Sequence, residues 1–556
     1  MKKYSCLSSI LTIVLVLGFG FNAYTQISHG GQPATVKFKI TNENFPVFDY
    51  VAPDVERLLA EDTETDKYGI PMRFAESMQV KIVMIKDGNW MNMPDGSRIC
   101  RLAISSENAQ ALLLYYEEFT IPEGGELFIY SADHWQVIGA FNNLTNPNGG
   151  IFATEMIYGE RLILEYVEPI GLKQDPEIII SEVGYVYRTA EKIFGIRGFG
   201  GSGACEVNVN CSEGLAWQDQ KNAVCRMIVK QGSSSVWCTG SMVNNTREDG
   251  TPYLITADHC GPVATPDEMN TWIYYFRYEG PDCENPTSDS AFNSYTIVGA
   301  SKVATAGGAG VKSDFKLVKL NQNVPENYNP YFNGWSIKGI TSPEGVTIHQ
   351  PQGDIRKIST YDSPLISTNW GNTSNTHWKV VWAETENGHG VTEGGSSGCP
   401  IYDSEGHMLG QLTGGDASCT NLTGPDYYGK FSYSWDKVGE ADSLQLKPWL
   451  DPDNIGLEEI DGISIVGING PKENNTLKLF PNPTTGPVYV DVSALKCRSV
   501  IVEVFSILGE RLYISKKSTP ASGLLTLDLS DTKAGVYIVR LTGEGKPYSA
   551  RILRQE

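Results

Sequence analysis

Two short segments hold the residue types that acyl transfer requires. The first is Trp237-Cys-Thr-Gly-Ser-Met-Val, followed by Tyr253-Leu-Ile-Thr-Ala-Asp-His-Cys: two strand-like apolar runs, each bordered by a cysteine. A bond between Cys238 and Cys260 would close a loop of about 22 residues and contribute roughly 3 kcal/mol through the entropy of the unfolded chain. It would also hold His259 rigidly at a strand end, where a general base has to be held. The second segment, Glu393-Gly-Gly-Ser-Ser-Gly-Cys-Pro-Ile-Tyr, sets glycines on both sides of a serine. Such a turn exposes a hydroxyl and lets nearby N–H groups converge on one spot, as an oxyanion hole requires. Ser397 is therefore the expected nucleophile, and the N–H groups of Gly395 and Ser397 are the expected oxyanion donors. A third group must orient the imidazole. Asp258 adjoins His259, but neighbouring strand residues point to opposite faces. Asp314, at the head of the apolar run Lys312-Ser-Asp-Phe-Lys-Leu-Val-Lys-Leu, is the better candidate. The chemistry is attack by Ser397 on a carbonyl, with no metal and no organic cofactor required.

These residues need a rigid, turn-rich scaffold in an oxidising compartment. The chain has 556 residues, which predicts three or four units, and its 57 glycines and 29 prolines favour β architecture. A net charge of −21 argues against nucleic acid as a partner. Lys2 and Lys3 precede an apolar run from about Leu7 to Phe21, the layout of a secretory signal over residues 1–25. A membrane anchor is the alternative, disfavoured because the run is short for a bilayer span. Eight of the 11 cysteines fall between Cys205 and Cys419, which marks one disulfide-stapled domain, and no CxxC pair points to zinc.

The remaining segments also read as β. Residues 26–197 contain short alternating runs such as Gln79-Val-Lys-Ile-Val-Met-Ile, divided by turn clusters such as Pro122-Glu-Gly-Gly. The glycine-rich stretch around Arg197 reads as an exposed linker open to proteolysis. A domain over 198–463, a linker over 464–476 and a β-rich segment over 477–556 complete the chain.

With these motifs in place, the stretch from Cys205 to Ile463 resembles the bacterial lysyl endopeptidases, a branch of the trypsin-like serine peptidases. The likeness rests on Cys238-Thr-Gly-Ser-Met-Val-Asn-Asn-Thr, Leu254-Ile-Thr-Ala-Asp-His-Cys-Gly, Ser313-Asp-Phe-Lys-Leu and Gly395-Ser-Ser-Gly-Cys-Pro-Ile-Tyr. It continues through Leu409-Gly-Gln-Leu-Thr-Gly-Gly, Pro425-Asp-Tyr-Tyr-Gly and Trp449-Leu-Asp-Pro. The order His, Asp, Ser along the chain is also that of the chymotrypsin type. The resemblance implies a chymotrypsin-like double β-barrel and disulfides Cys205–Cys419, Cys211–Cys283 and Cys238–Cys260. Cys225 and Cys399 are left over, and a fourth bond between them is an added expectation. It also implies that Asp426, rather than the residue six before the nucleophile (here Val391), forms the floor of the pocket for a Lys or Arg side chain. A buried carboxylate there disfavours apolar side chains as much as it attracts cationic ones. Gly414 and Gly415 would give a bare strand edge for substrate. Relatives place a His where Thr413 stands, stacked on a Trp matched here by Trp370, so the His of that stack is absent from its usual position.

Leu479-Phe-Pro-Asn-Pro-Thr-Thr-Gly, Val504-Phe-Ser-Ile-Leu-Gly and Ala534-Gly-Val-Tyr-Ile-Val resemble the sorting domains of the type IX secretion system. A carbohydrate- or surface-binding sandwich is the alternative for that segment. The expected fold is thus all-β: an N-terminal β-sandwich prodomain, a double-barrel protease domain and a C-terminal β-sandwich sorting domain. The N-terminal sandwich is expected to mask the site until cut, with Arg197 and Lys192 as processing candidates. Expected partners are protein or peptide substrates with Lys or Arg and the secretion machinery, at the cell surface or in the medium. A peptidase of other specificity and an inactive surface-binding protein of the same fold are the competing readings.

Overall fold

The computed structural model describes residues 28–41, 44–66, 71–188, 200–286, 295–308, 310–465, 478–492, 499–506, 511–520, 523–542 and 548–555. The signal segment, Lys192, Arg197, Cys6, Cys497 and most of the expected 464–476 linker lie outside them. Two compact units divide the chain, residues 1–465 and 466–556. Strands dominate both, as alternating apolar runs bounded by Gly and Pro turns dictate. Among the described residues no helix is long and apolar enough to cross a membrane.

The first unit begins with β1 (Val47–Tyr50), α1 (Val55–Thr65), β2 (Arg73–Val83), β3 (Asn89–Asn92) and β4 (Arg98–Ser106). It continues with β5 (Ala111–Thr120), β6 (Glu126–Ser131), β7 (Val137–Phe141), β8 (Phe152–Tyr158), β9 (Arg161–Glu168) and β10 (Glu177–Val186). One sheet runs β1-β4-β9-β6-β7 with β3 on β4, and the other begins β8-β5-β10-β2. Leu102, Leu112, Leu114, Phe119, Leu164 and Ile180 fill the core of this sandwich, each essentially inaccessible.

Next come β11 (Val207–Asn208), β12 (Val224–Gln231), β13 (Ser234–Met242), β14 (Tyr253–Ala257), β15 (Ile273–Phe276), β16 (Tyr295–Val298), β17 (Ala300–Thr305) and β18 (Phe315–Leu320). The second lobe contains β19 (Tyr331–Phe332), β20 (Trp335–Ser336), β21 (Gly345–His349), β22 (Lys357–Tyr361), β23 (Ile366–Trp370) and β24 (Thr373–Val380). β25 (Pro400–Asp403), β26 (Met408–Gly415), β27 (Asp426–Lys430), β28 (Glu459–Ile460) and β29 (Ile463–Ser464) close the unit.

Two findings differ from the sequence expectation. Neither lobe closes as an uninterrupted barrel. In the first, pairing runs β16-β15-β12-β13-β14-β18-β17, and its two ends meet only where the chain bends at Gly299 between β16 and β17. Gly299 has φ +85°, open to glycine at no steric cost, so the turn replaces a ladder. The second lobe is an open sheet, β11-β22-β21-β25-β26-β27-β24-β23. The all-β class holds; closure by continuous hydrogen bonding does not.

The N-terminal sandwich is also not separate. β2 pairs antiparallel with the start of β13, Ser234 opposite Glu76 and Val236 opposite Arg73, so one sheet of 11 strands runs through both. The start of β13 would otherwise be an unpaired edge, and covering it satisfies backbone groups. Phe74 stacks on Trp237 with ring centroids 4.0 Å apart, and Trp237 N donates to Met72 O at 3.0 Å.

The second unit has two sheets. One pairs Lys478–Phe480, Pro487–Asp491 and Leu524–Asp528; the other orders Arg511–Ser518, Ser499–Ser506, Gly535–Thr542 and Tyr548–Arg554. Val488, Val490, Val502, Val504, Val539 and Leu541 pack between them.

Candidate active site

His259 sits just past β14, in a short 3-10 turn spanning Asp258–Cys260. That turn, not strand alternation, decides which acid reaches the imidazole. Asp258 faces Lys316 (3.2 Å) and accepts from Gly308 N, so it is spent on a buried ion pair. Asp314 instead has Oδ2 2.5 Å from His259 Nδ1. Its Oδ1 accepts from the backbone N–H groups of His259 (3.1 Å) and Gly310 (2.9 Å). Three donors on a fully buried carboxylate fix both its position and the ring's. Asp314 has φ +54°, a left-handed backbone that Asp tolerates better than most residues, and its carbonyl accepts from Asp258 N. His259 Nε2, the nitrogen left for chemistry, is buried and has no partner among the described residues.

The serine turn packs against the same place. Ser397 O accepts from Thr239 N (2.8 Å) and lies 3.8 Å from Cys260 Sγ. A Cβ on Gly398 would come within 2.4 Å of Thr239 O, so only glycine lets the turn approach β13 and β14 this closely. Gly395 has φ +93°. Among the described residues no acceptor takes the N–H of Gly395 or Ser397.

A cavity of about 280 Å³ opens beside Ser397, lined by Thr392, Leu412, Gly414, Gly415 and Ala417. Asp66, Met72 and Arg188 from the N-terminal region line it too. Asp426 lies behind the wall, 1% exposed. Its Oδ2 accepts from Trp382 Nε1 and Thr392 Oγ1, each at 2.7 Å. Burial raises this carboxyl to about 6, an effect opposed by these two hydrogen bonds and by a third from Ala417 N to Oδ1 at 3.4 Å. Gly415 pairs with Asp426 across β26 and β27, and a Cβ there would lie 2.1 Å from Asp426 Oδ1. Only glycine at 415 therefore lets the Asp426 carboxylate lie this close against β26.

The Trp370 stack needs correcting. An imidazole does cover Trp370, but it is that of His377 on β24, with ring centroids 5.0 Å apart and 25° between planes. Thr413 does not simply replace it: Thr413 Oγ1 hydrogen-bonds His377 Nε2 at 2.9 Å. Trp370 Nε1 donates to Gly310 O, whose N–H holds Asp314. Sequence reasoning missed His377 because its partners Trp370 and Thr413 come from two other strands, β23 and β26.

The three expected disulfides, Cys205–Cys419, Cys211–Cys283 and Cys238–Cys260, are all present. The fourth is not. Cys225 and Cys399 are buried free thiols in different apolar clusters, Cys225 on β12 in the first lobe and Cys399 beside Thr347 and Tyr428.

Residues 199–429 match the family described as lysyl endopeptidase, C-terminal domain, and residues 478–555 match the secretion system C-terminal sorting domain. The chain is thus a serine endopeptidase on an all-β scaffold, similar to the lysyl endopeptidases over the first stretch and to secretion-system sorting domains over the second. A lysyl endopeptidase of Pseudomonas aeruginosa is 25% identical over 418 residues, covering 70% of this chain and 85% of that one. Among solved structures, a thermostable serine protease from an extremophilic microorganism and a protease from Arthrobacter nicotinovorans are 12% and 14% identical. Each alignment covers 38% of this chain and 91% of the other at a TM-score of 0.27.

Proposed function

We propose that the protein is an exported endopeptidase that cuts peptide bonds after Lys, with Arg also admitted, through His259, Asp314 and Ser397. The observation that carries this reading is the clamp of His259 by the buried Asp314, which leaves Nε2 unpartnered among the described residues, with the Ser397 carbonyl packed against the neighbouring Cys260. Ser397 attacks the carbonyl while His259 Nε2 takes its proton. The N–H groups of Gly395 and Ser397 receive the developing oxyanion, and water later hydrolyses the acyl-enzyme. Asp426 receives the cationic side chain. The burial of that carboxylate supports the role, since its neutral donors, Trp382, Thr392 and the Ala417 N–H, supply no countercharge.

The N-terminal sandwich acts as a propeptide that covers the site. Met72, Asp66 and Arg188 in the cavity wall and the β2–β13 pairing support this. A cut after Arg197 or Lys192 would release it, and the C-terminal unit directs export.

A lysyl phosphonate tests the reading: the processed enzyme should be labelled at Ser397 only. Absence of labelling after confirmed removal of residues 26–197 would favour an inactive binding protein of the same fold.

A further inference from the structure

A second serine and a second histidine sit directly beneath the Ser397 turn, and neither has a part in the mechanism above. Ser396 and His349 are both fully buried. Ser396 Oγ lies 2.8 Å from His349 Nδ1, and His349 Nε2 lies 3.1 Å from Ser359 Oγ. Ser359 Oγ in turn donates to Val391 O at 2.8 Å. Because Ser359 has only one hydroxyl proton, it must accept from His349, so Nε2 carries the imidazole proton. Nδ1 is then an acceptor, and Ser396 donates to it. Ser396 Oγ also accepts from Glu393 N at 3.2 Å. Burial pushes His349 down to about 3, which keeps the ring neutral and this assignment intact. Glu206 Oε2, 3.6 Å from Nε2, stands beyond hydrogen-bond reach.

The result is a chain of hydrogen bonds from Val391 O through Ser359, His349 and Ser396 to Glu393 N. It ties both ends of the segment that precedes the nucleophile to strands β21 and β22. The backbone after His349 completes the support: Gln352 N donates to Gly394 O at 2.6 Å, and a Cβ on Gly395 would lie 3.0 Å from Gln350 O.

The geometry points to His349 as a positioning residue that sets the oxyanion donors by holding Ser396, an inference that rests on the reading of Ser397 as nucleophile. Freed from the ring, the turn keeps its glycines and the bonds from Thr239 to Gly395 O and Ser397 O, but loses the side-chain bond that holds it from below. Oxyanion donors act only when they are preset for the transition-state oxygen.

The test uses the processed enzyme with Ser396→Ala, His349→Leu and His349→Asn, and Ser397→Ala as the control for the nucleophile. A lysyl peptide ester gives kcat and KM; a lysyl peptide boronate, whose tetrahedral adduct occupies the oxyanion hole, gives Ki. Ser396→Ala and His349→Leu should lower kcat by about 10-fold to 100-fold, the scale of a small misplacement at a reacting centre. Boronate affinity should weaken by the same factor, with KM within about 2-fold. His349→Asn, whose Oδ1 stands near the Nδ1 position and accepts from Ser396, should recover most of the loss. Ser396→Ala removes one buried atom and decides the question should His349→Leu not fold. Unchanged kcat and boronate affinity in Ser396→Ala would overturn the inference, as would His349→Asn no better than His349→Leu. Activity surviving in Ser397→Ala would instead sink the nucleophile reading, and is a separate result.

Discussion

Replacing Asp426 by Asn should move specificity and stability in opposite directions. The carboxylate is 1% exposed and raised to about 6 from an ordinary 3.8. A gap of about two corresponds to about 3 kcal/mol. Because the folded value lies above the unfolded one, the ionised group destabilises the empty enzyme above about pH 6, and that cost vanishes below about pH 4. Asp426→Asn in a Ser397→Ala background should therefore resist denaturant better at pH 8 by up to about 3 kcal/mol, with no gain at pH 4. Removing one partner of a buried ion pair costs about 3–5 kcal/mol. In the active enzyme, kcat/KM for lysyl substrates should accordingly fall on the order of 10²–10³-fold, while leucyl substrates are unaffected or improve. Peptide anilides differing only in the residue before the scissile bond measure the ratio. A Lys-to-Leu preference unchanged in Asp426→Asn would refute the assignment of the pocket floor.

Asp314→Asn should lower kcat by about 10⁴-fold by presenting the wrong imidazole tautomer, with KM little changed; a loss under tenfold would remove Asp314 from the triad. Lysyl substrates should show a rise in KM as pH falls through about 6, where Asp426 protonates, and Asp426→Asn should abolish that rise. His377 is pushed down to about 4 by burial, so His377→Gln should change the magnitude of kcat/KM without altering its profile between pH 5 and 9. Burial pushes Cys100, Cys225 and Cys399 up to about 12; they should resist iodoacetamide at pH 8 in the native, non-reduced protein and react once it is unfolded. Protection of Cys225 and Cys399 in the unfolded, non-reduced chain would restore the fourth disulfide.

The clamp was legible because its parts lie in short contiguous motifs. Thr-Ala-Asp-His-Cys and Gly-Ser-Ser-Gly-Cys each encode a turn, and a turn fixes its own side chains. Strand alternation in the sequence favours Asp314 over Asp258, whereas in the structure a 3-10 turn and the competing pull of Lys316 separate the two. Contacts assembled across strands were not legible. Trp370, His377 and Thr413 meet only because β23, β24, β27 and β26 lie side by side, and no local pattern records that order. The β2–β13 pairing is equally silent, since any alternating strand can cover any open edge. The Cys225–Cys399 bond was inferred from parity alone, and parity carries no distance.

Serine-dependent cleavage after a basic side chain is read most directly from processed enzyme and its Ser397→Ala variant, incubated with a peptide library of all side chains. Cuts should fall after Lys, and to a lesser extent Arg, and disappear in Ser397→Ala. Cuts spread without regard to a preceding cation, or persisting without the Ser397 hydroxyl, would contradict it.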